Sequence, residues 1–584
     1  MKKTKRILSL LLSAAAGLSF AGAPYGQPVS AADVYTGYDT ARIDSLVSEF
    51  EKILEKEKIT PEMPECYDRI IHEADYAYYQ LVLSKVQYSE EQTSENFSEY
   101  SAMSATCRYV TGRIADVMRK ALVSPHAEYV ITLMNEGYIS ANTDFKVRKA
   151  EEDDEILDKR NALVQKYIET LSGTASEREK ELACAEIYLD LVKHYNSLIV
   201  TEGCSYIDYA YQLYYRDYSP KDIAVLNDTA ANCLGDAYRK LVEHASQSYR
   251  KDAAEQVFDD NFDIVSQFAN RVSDDLRESA EMVTERDLYR TGTLTNSEAV
   301  SYTTKLNYIR SAVIYQCVRG DTKDLAVTTH EFGHFNALRQ DETPYLYIHG
   351  SNLDIAEVQS QGLEVLYTDF YDSIYGLNDE YFRMNEAASM LVAVAGGFQG
   401  NEFENYVFEH ADSMTPQDVI DKYNELAAKY QLYKVPFYQV SHFFQMPGYY
   451  ISYAVSALAA LDLWNVMYSD FDKAADMYTK ISHVSIYDGT GFSNALAESG
   501  FDNVLTEEFM TGNLNDLVDR LTDGLVYGDA DRNGTVGTAD LLYLVARIIS
   551  ASPCSEDDLK SCDLSGDGTV NAKDLLKLKR IIAS

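Results

Sequence analysis

Two histidines four residues apart with a glutamate after the first, His330-Glu331-Phe332-Gly333-His334, carry the most definite chemistry in the chain. On a helix both imidazoles leave one face and meet a single ion, with Glu331 beside them but outside the ion's ligand shell. Catalytic zinc takes three protein ligands and keeps a fourth position for water. Glu357, 23 residues after His334 in the run Asp354 to Glu364, fits the missing place. One zinc ion held by His330, His334 and Glu357 polarises a peptide carbonyl and activates water, while Glu331 takes the proton and returns it to the leaving amine. Asp354 or Glu364 can orient a ligand imidazole from behind.

Peptide hydrolysis also needs donors for the oxyanion, which lower the barrier by several kcal/mol when pre-positioned. The stretch His442 to Tyr453 puts a Pro447-Gly448 turn before tyrosines, and Tyr453, Tyr450 and His442 are the candidates. By itself it would read as a helix start with core aromatics. Just before the zinc motif, Ser311 to Val318 is a short apolar run rich in β-formers, ending at Arg319-Gly320-Asp321. It reads as a strand whose edge can pair with an extended substrate, or as an ordinary buried strand.

The rest of the chain must hold these pieces, and it is written in helical periods. Apolar residues recur at three and four in Ile43-Val47-Phe50-Ile53 and Leu182-Ala185-Leu189-Val192. The tyrosine-rich run Tyr206 to Tyr215 reads as amphipathic packing and receives no chemistry. The expected fold is mainly α, with a small sheet beside the site.

Composition narrows the setting. Lys2, Lys3, Lys5 and Arg6, an apolar run Ile7 to Phe20 and small residues up to Ala31 form a secretory leader over 1–31. Its removal takes away four basic residues and no acidic ones, moving the net charge from −40 to −44. Nucleic acid is excluded as a partner by that charge, and no later apolar stretch is long enough to span a membrane. A secreted, extracellular protein is expected. The eight cysteines are scattered, and only Cys554 and Cys562 lie close enough in sequence to invite a bridge.

The last sixty residues repeat with a period of 34: Asp529 to Asp540 and Asp563 to Asp574 share one calcium-loop grammar, each followed by a similar helix. Oxygen ligands fall at Asp529, Asp531, Asn533, Thr535 and Asp540 in one loop and at Asp563, Ser565, Asp567, Thr569 and Asp574 in the other, with Gly534 and Gly568 at the sharp turns. Two calcium ions are expected.

These motifs resemble known families. The segment from about Ser311 to Gly524 resembles the thimet oligopeptidase and oligoendopeptidase F family of zinc peptidases. The match rests on His330-Glu331-Phe332-Gly333-His334 and on Glu357-Val358-Gln359-Ser360-Gln361-Gly362-Leu363-Glu364, where Gln359 stands for the family's proline. It implies the same ligands and base, and a tyrosine loop near the oxyanion that Tyr449 to Tyr453 matches at its last tyrosine. The calcium repeats resemble a type I dockerin, which plugs secreted enzymes into cohesin domains of a cellulosome-like scaffold. That resemblance implies cohesin contacts at Thr538 and Ala539, and at Ala572 and Lys573. The expected organisation is a leader at 1–31, a helical zinc metallopeptidase at 32–525 acting on short peptides, and a dockerin at 526–584. The rivals are a non-catalytic binding component, against which the intact Glu331 argues, and calcium loops that merely stabilise the enzyme.

Overall fold

The computed structural model describes residues 35–133, 153–199, 205–250, 253–293, 301–341, 351–522, 528–533, 535–550 and 554–583. The expected leader and the junction at 523–527 lie outside them. Among the described residues no helix is long and apolar enough to cross a membrane.

The helical periods fold as their spacing requires. Ile43, Val47, Phe50 and Ile53 are buried along one face of the helix Ala41–Leu54, which packs with Glu62–Glu90 and Ser94–Val123 around a core of its own. In the helix Glu177–Ser197, opened by a Ser176–Glu179 capping box, Ala185, Leu189 and Val192 are buried. Leu182 departs from the expected stripe and is 37% exposed. A second, larger core runs from Tyr79 to Leu521 and takes in the helices of the site.

Five helices and three strands build the site: α1 (Asn227–Ser248), α2 (Asp324–Gln340), α3 (Leu353–Tyr367), α4 (Asp379–His410) and α5 (Ser452–Met467), with β1 (Tyr289–Thr293), β2 (Tyr302–Leu306) and β3 (Ser311–Val318). The strand order is β1-β3-β2, β1 parallel and β2 antiparallel to β3, with Tyr302 opposite Tyr315. The expected strand is therefore present but central. Both its edges are taken, and it is buried along nearly its whole length. The edges left without a strand partner among the described residues belong to β1 and β2.

The turn from β3 into α2 is pinned by Asp324, whose carboxylate accepts from the backbone N–H of Arg319 and Gly320 at 3.0 and 2.7 Å. Gln316 on β3 ties the first turns of α2 down, donating to the Asp324 carbonyl and accepting from Thr328. α2 then crosses α3 in direct backbone contact. A Cβ on Gly333 would lie 2.6 Å from the Gln359 carbonyl oxygen and 2.7 Å from Ser360 Cα, so only glycine lets the helices approach this closely. Gln359 extends the clamp by donating to the carbonyls of Ile481 and Val484, both at 3.0 Å.

At the C-terminus α6 (Thr538–Ile549), α7 (Glu556–Cys562) and α8 (Ala572–Ala583) pack around Ala530, Leu544, Cys562, Leu564 and Leu578. Leu544 and Leu578 are equivalent residues of the two repeats. Cys562 is a buried thiol of that core and Cys554 is also free, so the bridge that their closeness in sequence allows is not formed.

Gly333→Ala is predicted to force α2 and α3 apart, at a cost of about 1–3 kcal/mol in stability from overpacking. Thermal unfolding and metal content measured together check it, since the same displacement separates the histidines from Glu357.

Candidate active site

α2 presents His330 and His334 from one face, ring centroids 4.8 Å apart and planes at 85°. Across the crossing, α3 brings Glu357, whose Oε2 lies 3.6 Å from His330 Nε2 and 3.9 Å from His334 Nε2. One donor atom from each residue lies within 4.8 Å of the other two, a spacing that a tetrahedral ion with bonds of about 2 Å can bridge. The electrostatics favour a cation. Burial opposes charge on His330, yet Glu364, Glu357 and Glu331 outweigh it and push the imidazole up to about 10. Burial, with that neighbouring charge, drives His334 well below its ordinary value. A field that holds a proton so firmly also favours a divalent ion.

The groups behind the ligands form a relay of hydrogen bonds. His330 Nδ1 donates to Glu364 Oε1 at 2.7 Å, which selects Glu364 over Asp354 as the orienting carboxylate. Burial, with the adjacent Glu364 and a hydrogen bond to it, raises Glu386 of α4 far above the ordinary carboxylate range. Glu331 is 7% exposed, and burial pushes its carboxyl up to about 7 against the pull of His330. The Thr303 hydroxyl of β2 donates to Glu331 Oε2 at 2.7 Å. His330, Glu331, Glu364, Glu386 and Tyr453 open on one cavity of about 720 Å³.

The tyrosine loop separates its aromatics by task. Tyr453 lines the cavity. Tyr449 turns inward and donates to Glu357 Oε1 at 2.6 Å. Tyr450, one residue on, is buried against Gly400 and Phe443 and spends its hydroxyl on Tyr433, away from the histidines. His442 stacks on Tyr449 at 4.9 Å, and burial lowers it to about 4, so it is a neutral imidazole rather than the cationic donor considered from sequence.

Asp354 has a different partner. Its carboxylate receives Arg216 through Nε and Nη2 at 3.0 and 3.1 Å and the Tyr218 hydroxyl at 2.7 Å, with no exposed side-chain surface on either ion. Arg216 also donates to the Gly448 carbonyl at 2.7 Å and to Ser452 Oγ at 2.8 Å, fastening the tyrosine loop to α3. Tyr211 and Tyr214 place their rings 4.4 and 5.0 Å from the guanidinium. Part of the tyrosine-rich run thus cages a buried cation. On its other side the loop is held by Glu404 of α4, which accepts from the Gly448 N–H at 3.0 Å.

The two C-terminal loops fold on one plan. Asp540 accepts from the backbone N–H of Asp531 and Gly537, and Asp574 accepts from Ser565 and Asn571 in the same way. In the first loop, carboxylate oxygens of Asp529, Asp531 and Asp540 lie within 4.8 Å of one another, a set that fits calcium. Asn533 and Thr535 bond to each other at its turn. In the second loop Asp563 is held by Arg250 of the helical body at 2.6 Å and Asp567 by Lys573 at 2.6 Å, with Thr569 donating to Asp567.

Residues 527–583 match the type I dockerin domain family. The body overlays an oligoendopeptidase F solved at 3.1 Å (TM-score 0.67, 15% identity, 85% of this chain and 99% of that one). It also overlays PZ peptidase A with an inhibitor (TM-score 0.66, 15% identity, 84% and 98%) and an oligoendopeptidase F from Bacillus anthracis str. Ames (TM-score 0.62, 14% identity, 85% and 98%). The body has the oligoendopeptidase F fold, and the tail is a type I dockerin. No curated protein matches the chain in sequence. On the dockerin Thr538, Ala539, Ala572 and Lys573 are all exposed, and beside them Leu542 and Leu576, equivalent in the two repeats, are 68% and 54% exposed.

Sequence reasoning missed Thr303, Glu386, Arg216 and Glu404. None sits in a motif; each is identified only by what it touches. Glu404 gives a measurable consequence. Burial pushes its carboxyl up to about 8 from 4.5. The native state therefore keeps a proton that the unfolded chain has released, and this stabilisation is full below the lower value and lost as pH rises toward the higher one. Unfolding free energy is predicted to fall across that window by up to ~1.4 kcal/mol per pH unit from this group. Glu404→Gln, which keeps an acceptor for Gly448, removes that part of the slope in denaturant titrations run at several pH values.

Proposed function

We propose that the protein is a secreted zinc oligopeptidase attached through its dockerin to a cohesin-bearing, cellulosome-type scaffold. The observation that carries the catalytic half is the convergence of His330, His334 and Glu357 on one another, with His330 and the adjacent Glu331 lining a cavity. His330, His334 and Glu357 would hold the zinc, which when bound supplies Lewis acidity and an activated water. The similar folds include oligoendopeptidases and a Trypanosoma cruzi metallocarboxypeptidase (TM-score 0.51), which favours peptide substrates.

This chain's own residues account for the rest of the reaction. Glu331, with a carboxyl near 7, is suited both to accept a proton and to return it to the leaving amine at neutral pH. Thr303 keeps that carboxylate aimed by its hydrogen bond. Glu364, backed by Glu386, fixes the tautomer of His330 so that Nε2 is free for the ion. Tyr453 donates to the oxyanion from the cavity wall, and Tyr449 orients Glu357. The open edge of β2, next to Thr303, offers backbone groups to an extended peptide, which selects for unfolded substrates whatever their side chains.

The docking half rests on the dockerin match and on the exposed face of Thr538, Ala539, Leu542, Ala572, Lys573 and Leu576. Cohesin binding should require calcium, since the loops carry the helices that form this face.

Glu331→Gln is predicted to retain zinc and lose hydrolysis of a peptide library by several orders of magnitude, read by mass spectrometry of the products. His330→Ala or Glu357→Ala lowers zinc occupancy instead, and full metal content in either would remove that residue from the ligand set. Tyr453→Phe is predicted to cut kcat more than it raises KM, whereas Tyr450→Phe should shift thermal stability and leave kcat close to wild type. Equal kinetic losses in both would sink the separation of roles.

A further inference from the structure

The second repeat of the dockerin is built into the helical body. Arg250, just beyond α1, is almost fully buried and makes three bonds outward. It donates through Nη1 to Asp563 Oδ2 at 2.6 Å, through Nη2 to the Leu559 carbonyl at 2.7 Å, and through Nε to the Leu377 carbonyl at 3.1 Å. Two of these partners belong to the dockerin and one to the body, so the guanidinium is a rivet between them. Lys560 of α7 adds a bond to Asp379, the first residue of α4, at 3.2 Å. The backbones also meet: a Cβ on Gly566, inside the second loop, would lie 3.0 Å from the Tyr249 carbonyl oxygen and 3.1 Å from Arg250 Cα.

These contacts fall on the groups a calcium ion would need. Asp563 is the first oxygen ligand of the loop grammar and Asp567 the third. Both carboxylates are here neutralised by protein cations, Arg250 on the one and Lys573 on the other. Loop position 11, where the second repeat has Lys573, is Ala539 in the first. Where the first loop draws three carboxylates together, the second pairs two of its own with protein cations, the buried Arg250 and the exposed Lys573. Calcium entering it must share Asp563 with a desolvated guanidinium of like sign, and the side chain of Asp563 has no exposed surface through which water could screen the two.

We propose that the face made by Tyr249, Arg250, Leu377 and Asp379 is a docking surface for the dockerin's own second repeat, and that on this surface Arg250 takes the place of calcium. The two loops are then unequal. The first binds calcium as a free dockerin loop does, and the second is clamped to the body and binds it only as the clamp loosens. The clamp reaches the catalytic body at a sensitive point, because Asp379 begins α4 and Phe382, Asn385, Glu386 and Ser389 of that helix line the cavity.

The inference rests on reading both repeats as calcium loops, and the first loop serves as its internal control. Calcium is titrated calorimetrically into the full zinc-loaded chain, into Asp529→Ala, which disables the first loop, and into Asp529→Ala combined with Arg250→Ala. The expected result is one tight and one at least tenfold weaker site in the wild type, only the weak site in Asp529→Ala, and at least tenfold tightening of that site when Arg250 is also removed. Two equal sites in the wild type, or a second site unchanged or weakened by Arg250→Ala, overturn the proposal. No uptake by the first loop would instead overturn the calcium reading itself. Hydrogen exchange on the wild type needs no variant to fold: saturating calcium should deprotect the amides of residues 246–250 and 377–381, and unchanged or increased protection there also overturns it.

Discussion

The contact on which the site depends is the meeting of two helix backbones at Gly333. The three converging donor atoms come from helices that approach from different directions, and their spacing is set by how closely those helices can pass. A missing Cβ makes the approach possible. The other constraints then secure α3 rather than bring it there: Asp354 ties its start to Arg216, and Gln359 ties its middle to the carbonyls of Ile481 and Val484. Gln359 is also the point at which this chain departs from the pattern it resembles. The side chain that replaces the proline makes hydrogen bonds that a proline cannot, so the helix is anchored by a different device.

Burial of its carboxyl groups governs the energetics of the site. Buried carboxyls at Glu331, Glu357, Glu386 and Glu404 are all raised, each chiefly by loss of water. A cluster of that kind is stable only if its protons and hydrogen bonds are fully distributed. Here they are: Thr303 serves Glu331, Tyr449 serves Glu357, Glu386 serves Glu364, and Gly448 serves Glu404. The cost in folding free energy is carried by the large apolar core around it, which is why so small a reaction centre sits in so large a body.

What the sequence disclosed were the parts whose chemistry is local. Histidines one helical turn apart on α2, oxygen ligands at fixed offsets in a loop, and a stripe such as Ile43-Val47-Phe50-Ile53 each carry their meaning in their spacing. The mainly helical class and the small sheet were legible for the same reason. Side chains that act across long separations were not. Thr303 lies on a strand whose alternation is too short and too polar to announce itself, Arg216 follows directly on a run that reads as packing, and Arg250 meets a loop more than three hundred residues away. β3 was legible as a strand but not as a central one, because an apolar strand looks the same whichever of its edges is occupied. For the tyrosines, spacing narrowed the choice to one loop; only the fold gives Tyr453 to the cavity, Tyr449 to Glu357 and Tyr450 to Tyr433.

Arg216 joins pieces that are remote along the chain, reaching Asp354 138 residues ahead, Gly448 232 ahead and Ser452 236 ahead. Each of these contacts closes a long loop, and long closures are the slow steps of folding. A nascent or partly folded chain can therefore own the helix that bears His330 and His334 without owning an assembled site, since the tyrosine loop is fastened only after both halves of the body have met around one guanidinium. The arrangement makes the assembled site a property of the finished molecule. Topology alone sets that order of assembly.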